Sequence, residues 1–304
     1  MKEKHYLKNK LSSAQQLVVG KKIKRILNKP IKYINYFFIK KILYDVFKYD
    51  VNIKTNTFFE RQMHLCLPSG TDIYLTGCKS HNSEIRLAKY FIQNIKPGNI
   101  FVDMGAHFGY YTLLAAELVG QSGKVLSFEA SPKSYSVLKK NTEFIKWAEA
   151  RNLALSDSNN PITFYEFPNL YAENNTTSIE QFEKQDWFIK NPPKEIKIPS
   201  TTVDQALIDF QSDSVFVKID VEGAEFKVIN GGEMWFQNFS PTIVMEYIAD
   251  GKINKEHQKA FMLLTNWNYK PYFIGENGEL ERIKNIDEYF DNYKLESDNI
   301  VFKK

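Results

Sequence analysis

The sequence predicts an α/β protein built on a doubly wound, mostly parallel sheet. Short apolar runs such as Ile100-Phe101-Val102 and Val215-Phe216-Val217-Lys218-Ile219 have the length and β-branched content of buried parallel strands. These runs alternate with segments of helical period, which implies right-handed crossovers between parallel neighbours. Between the first core strand and its helix lies the spacing Asp103-x-Gly105-x-x-x-Gly109, and the next strand, Lys124 to Phe128, ends on Glu129. In an open α/β sheet, ligands bind beyond the carboxyl ends of the strands, which is where Asp103 and Glu129 fall.

Composition bounds the remaining possibilities. The chain has 304 residues, 43% hydrophobic and 14% aromatic, which is enough for one large α/β domain with extensions. Its net charge of +4 conceals an asymmetry: residues 1–54 hold 14 Lys+Arg against 3 Asp+Glu, and the remainder holds 26 against 33. Cys66 and Cys78 are the only cysteines and read as free thiols in a reducing compartment. Leu17-Val18-Val19 is too short for a signal-peptide core, and Lys40-Lys41 interrupts the best candidate for a membrane span. The expected location is cytoplasmic.

In chain order, 1–54 reads as a basic helical N-terminal segment and 55–304 as the main domain. Ile31, Ile34, Phe38, Ile42 and Val46 recur at helical spacing, so Ile31 to Val51 is an amphipathic helix rich in lysine and aromatics. Two readings are open for it. It either makes a peripheral contact with the inner membrane surface, or packs on the main domain with its lysines outward. Phe59 to Leu67 and Thr71 to Thr76 read as two strands of a hairpin spanning 58–76, turning at Pro68-Ser69-Gly70. A polar loop, Gly77 to Ser83, precedes a helix over Glu84 to Asn94. His81 and Asn82 there serve either as cap and loop residues or as cofactor contacts.

After Glu129, Pro132 opens a helix. Strand candidates then follow at Ala148 to Leu155 and Pro161 to Phe167. The long stretch 168–195 carries Tyr171, Phe182, Trp187 and Phe188, and reads equally as a substrate wall or as an insertion with its own small core. Asn191-Pro192-Pro193-Lys194 ends in Lys and precedes the fourth strand, so it does not signal a nucleic-acid amino-methylating site. Glu195 to Pro199, Val215 to Ile219 with Asp220 at its tip, Thr242 to Met245 with Glu246 at its end, and Asn299 to Phe302 complete the strands. Glu222-Gly223-Ala224-Glu225 starts another helix.

The loop spacing also selects the ligand. A dinucleotide would call for Gly-x-Gly-x-x-Gly to seat a pyrophosphate on the helix N-terminus, and that pattern is absent. A carboxylate at the tip of the second strand can accept both ribose hydroxyls. S-adenosyl-L-methionine, with a ribose, an ammonium, a sulfonium and no phosphate, fits an acidic crevice.

The segments VDMGAHFGYYTLLAA, SFEASP, NLALSD, NTTSI, TTVDQAL, VKIDVEGAEFKVINGG and PTIVMEY follow one another in the order seen in the FkbM family of S-adenosylmethionine-dependent methyltransferases. Over residues 95–250 the chain resembles that family. The resemblance implies a class I methyltransferase (Rossmann-like) fold, with a seven-stranded sheet whose last strand is antiparallel. It also implies transfer to a hydroxyl oxygen, commonly on a sugar of a glycan or natural product. It carries over Asp103, Gly105 and Gly109 as the cofactor loop, Glu129 as the ribose carboxylate, and Ser156 with Asp157 beside the adenine. His107-Phe108 departs from the family's usual Asn-Ile or Asn-Val.

A sugar hydroxyl is a weak nucleophile and gains from a base. Asp220, at the fourth strand's tip, is the first expectation, then Glu222, then His107. Asp220, Glu222 and Glu246 could gather a divalent cation, but no metal is expected. The expected partner is a carbohydrate or other small hydroxyl acceptor. The alternatives are a nucleic-acid methyltransferase and a non-catalytic nucleoside-binding protein of the same fold. The acidic body weighs against nucleic acid.

Overall fold

A computed structural model describes residues 3–20, 26–179, 182–183, 185–210, 214–249 and 255–304. The strands are β1 (Val51–Asn56), β2 (Gln62–Leu67), β3 (Ile100–Met104), β4 (Lys124–Glu129), β5 (Ala148–Asn152), β6 (Ala154–Leu155), β7 (Ile162–Glu166), β8 (Lys194–Ile198), β9 (Ser200–Thr201), β10 (Val215–Ile219), β11 (Thr242–Ile248), β12 (Lys270–Ile274), β13 (Leu280–Arg282) and β14 (Ser297–Lys303). Among the described residues the main sheet has the order β13-β12-β14-β11-β10-β3-β4-β5. The five strands from β11 to β5 run parallel, and β14 lies antiparallel between β11 and β12.

Seven of these strands answer to the class I sheet, its last strand antiparallel. The eighth, β13, is an addition at the edge. It exists because Gly275 to Gly278 closes a tight turn, with the Gly275 N–H donating to Glu279 O, so the chain returns beside β12 as a hairpin.

Helices cover both faces. Asn82–Asn94 and Tyr110–Val119 bury Leu87, Phe91, Leu114 and Ala115 on one side. Glu225–Asn230, Glu233–Phe239 and Lys255–Asn266 bury Val228, Phe236 and Leu264 on the other. Central strands covered on both faces are largely apolar, which is why they were readable as runs.

Two expectations are corrected. Thr71–Thr76 is a helix and not the second strand of a hairpin. Asp72 accepts from the Ile73 and Ser80 N–H groups, and Gly77 ends the turn in the left-handed conformation, so capping outweighs the β-branched content. The hairpin partner of β2 is instead β1, with Val51 opposite Leu67 and Lys54 opposite His64. The division at residue 54 therefore falls inside a paired strand, and the N-terminal helix Lys4–Val19 packs Leu7, Leu11 and Ala14 into the common core.

The site is set by how β3 ends. Asp220 N–H donates to Met104 O, while Gly105 and Ala106 N–H groups both donate to Phe128 O. Gly105 has φ +82°, and a Cβ placed on it would lie 1.8 Å from the Asp220 carbonyl oxygen. Gly105→Ala is therefore expected to destabilise the fold by about 3 kcal/mol or more, read as a lowered midpoint in urea unfolding. A midpoint within error of the unsubstituted protein would contradict this packing.

Candidate active site

Beyond the carboxyl ends of the parallel strands, the chain turns one way from β3 to β4 and β5, and the other way to β10 and β11. The crevice at that switch point is a cavity of about 300 Å³. Its two ends differ chemically because the strand order places different residues there.

On the β4–β5 side the wall is apolar: Phe128, Leu153, Leu155, Ile162 and Phe164. Glu129 stands beside them. Its Oε2 accepts the His107 N–H at 2.7 Å and its Oε1 the Ser131 N–H at 2.8 Å. Each oxygen keeps a further acceptor position. Burial, partly opposed by those two N–H groups, raises the carboxyl pKa to about 7.

The β10–β11 side is acidic. Asp220, Glu222 and Glu246 each present a carboxylate oxygen within 4.8 Å of the others, a spacing one divalent cation can span. Glu84 and Glu173 line the same end. Lys218 Nζ sits 2.8 Å from Asp220 Oδ2, and Lys79 pairs with Glu84 at 3.0 Å. Burial disfavours charge on Asp220, but Lys218 and Lys79 outweigh it and hold the pKa below the usual range. Glu246 has no such cation. Burial, then the charges of Asp220 and Glu84, push it to about 8. Burial, then the charges of Asp220, Glu246, Glu225 and Glu173, push Glu222 well up.

Glu222 adopts φ +51°, held by Thr176 Oγ1 donating to its carbonyl, which turns its side chain into the cavity. Glu225 takes the capping role, accepting from the Val221 and Gly223 N–H groups.

The structure brings Gly105, His107, Glu129, Asp220 and Glu222 to the cavity wall. Other expectations are corrected. Asp103 lies beneath the loop and outside the main cavity. It is 1% exposed and accepts from Thr112 Oγ1 at 2.7 Å, so its role is to anchor the loop to the helix that follows. Gly109 starts that helix at φ +88°. Ser156 and Asp157 also miss the cavity, because the Ser156 carbonyl packs where a Cβ on Gly231 would sit and Asp157 is exposed; Ala154 and Leu155 form the wall in their place.

His107 has the geometry of a base without the proton affinity, since burial lowers its pKa to about 3. Lys79, Glu84, Glu173, Lys218 and the catalytic potential of Glu246 were missed. The one available signal was Lys218, a lysine inside an otherwise apolar strand. His81 lines the cavity, bonded through Nδ1 to Ser83 Oγ at 2.6 Å.

A family model, the methyltransferase FkbM domain, matches residues 103–271. The chain belongs to the FkbM methyltransferase family. It is an S-adenosyl-L-methionine-dependent methyltransferase. A search of curated proteins finds no match. Among solved structures, an FkbM methyltransferase from Methylobacillus flagellatus is 12% identical with TM-score 0.39. That match covers 78% of this chain and 53% of the other, so the chain spans about half the length of that relative. Fibrillarin from Aeropyrum pernix, with natively bound S-adenosyl-L-methionine, is 9% identical over 72% of this chain and 74% of the other, TM-score 0.38. An S-adenosylmethionine-dependent O-methyltransferase from Thermotoga maritima is 13% identical over 86% and 81%, TM-score 0.36. Likeness at this level carries no substrate from one chain to another.

The residues of this FkbM methyltransferase fit the cofactor. Glu129 offers two open acceptor positions for two ribose hydroxyls, and the apolar wall beside it suits a flat base. Glu129→Gln keeps the size and removes the charge. It is expected to weaken S-adenosylhomocysteine binding about tenfold to a hundredfold by calorimetry, the worth of charge-assisted hydrogen bonds. Unchanged affinity would remove Glu129 from the ribose site.

Proposed function

We propose that this methyltransferase acts on a hydroxyl oxygen of a sugar or sugar-like acceptor, with Glu246 as the base. The observation that carries this reading is the difference in proton affinity among three adjacent carboxylates. When bound, S-adenosyl-L-methionine supplies an electrophilic methyl group on a positively charged sulfur. The chain's own task is to hold the acceptor oxygen in line and remove its proton.

A base works best with a pKa near the working pH. Asp220, kept ionised by Lys218, binds a proton too weakly, and so does His107, whose pKa burial lowers to about 3. Glu246, at about 8, has the matching affinity. Transfer would form the carbon–oxygen bond as the methyl–sulfur bond breaks, the sulfur compound leaving as a neutral thioether, while the acceptor proton passes to the Glu246 carboxylate. Asp220 orients the acceptor as a fixed anion, and Glu222, whose carboxyl pKa burial and neighbouring acids raise well above the usual range, donates a hydrogen bond. A wall of carboxylates with Asn175 and Thr177 suits a neutral ligand rich in hydroxyl donors and repels phosphates, which favours a carbohydrate over a nucleic acid.

The same three oxygens support a second reading, a divalent cation that acidifies the hydroxyl. Turnover that persists in EDTA favours the base, whereas loss restored by magnesium favours the cation. With Glu246 as base, kcat rises with pH through about 8 as the carboxyl loses its proton, and Glu246→Gln lowers kcat by about 10²- to 10⁴-fold while flattening that rise. A pH profile unaltered in Glu246→Gln, measured on hydroxyl acceptors, would refute the assignment.

A further inference from the structure

The helix Pro30–Phe38 continues as a π-helical turn, Ile39–Tyr44. Its inner face is settled. Ile39 and Tyr44 are buried, and Tyr36 and Leu43 pack against the core. Lys29 Nζ donates to Leu75 O, and Lys32 Nζ to Thr55 Oγ1 and Tyr74 O. These two lysines fasten the helix to the body, while Lys41 and Lys48 stay exposed. The outer face instead carries Ile31, Ile34, Phe38, Ile42 and Val46, spaced three or four residues apart and each between 42% and 74% exposed. An amphipathic surface helix would present polar residues there. Nine of the seventeen large apolar side chains that stand exposed among the described residues fall between positions 27 and 49.

We propose that this stripe docks the protein on the surface of an anionic lipid bilayer. Lys40, Lys41 and Lys48 lie on the same segment, where acidic residues are limited to Asp45, paired with Lys41 at 3.3 Å, and Asp50. Apolar residues rimmed by lysine match the boundary between acyl chains and anionic headgroups. Phe37 and Phe47, 64% and 69% exposed, add aromatic rings of the kind that settle at that depth. A second copy of this chain is a poorer occupant, because a two-fold contact through the stripe sets like lysines against one another. Among the described residues no helix is long and apolar enough to cross a membrane, so the contact lies along the surface. The docking helix is joined to the catalytic cavity: the Leu170 N–H donates to Tyr44 Oη at 3.2 Å, in the segment that supplies Ala172 and Glu173 to the cavity wall.

The test is co-sedimentation of the full chain with phosphatidylcholine vesicles made with and without phosphatidylglycerol. The expected result is binding that requires phosphatidylglycerol and weakens in high salt. Two triple variants, Ile31→Ser/Ile34→Ser/Phe38→Ser and Lys40→Gln/Lys41→Gln/Lys48→Gln, should each bind about tenfold more weakly or worse. S-adenosylhomocysteine affinity, measured on the same samples, should hold, which separates lost docking from lost fold and keeps this result independent of the acceptor reading. Protein that stays in the supernatant, or variants that pellet as the parent does, would overturn the proposal. So would a stripe variant whose only change is a smaller mass in analytical ultracentrifugation, which would assign the face to a second copy.

Discussion

The close approach of Gly105 to the Asp220 carbonyl governs the rest of this molecule. Two strand ends that are far apart in sequence must meet with no side chain between them. That meeting brings the loop after β3 against the tip of β10, and it fixes where Glu129 stands on one flank and Asp220 and Glu222 on the other. The parallel register, with Lys218 opposite Asp103 and Ile219 opposite Met104, then determines which side chains share the crevice.

Around this contact the charges are sorted by which group has a cation. Asp220 has Lys218, and Glu84 has Lys79; burial and neighbouring acids dominate at Glu246 and Glu222, with Ser297 opposing them in part at Glu246. Three chemically similar carboxylates thereby acquire different proton affinities within a few ångströms. A cationic sulfur compound brought into such a crevice meets an ionised residue and protonatable ones at once.

Much of this was legible in the sequence. The central parallel strands, the glycine loop and the placement of Glu129 and Asp220 followed from apolar runs and spacing, because buried parallel strands and tight turns constrain composition directly; β1, β12 and β13 did not. What escaped depended on three-dimensional partnership. Asp103 and Glu129 look alike as acids at strand tips, yet only one faces the cavity, and the difference lies in Thr112, nine residues away. The order of the bases was hidden because it depends on Lys218 and Lys79, which belong to β10 and to a distant loop. Thr71–Thr76 was misread because Asp72 accepts from the Ile73 and Ser80 N–H groups, local bonds that alternation of residue types does not report.

The segment between β7 and β8 carries a further implication. Phe167, Phe182, Trp187 and Phe188 pack on one another, and Tyr171 stacks on Trp187 at 4.5 Å between ring centres. This cluster is an aromatic nucleus of its own, attached to the core by Thr176 at Glu222 and reaching the crevice through Ala172, Glu173, Asn175 and Thr177. Acceptor preference can therefore drift by exchanging this excursion as a module. The sheet, the glycine loop and the carboxylates of Asp220, Glu222 and Glu246 belong to other elements.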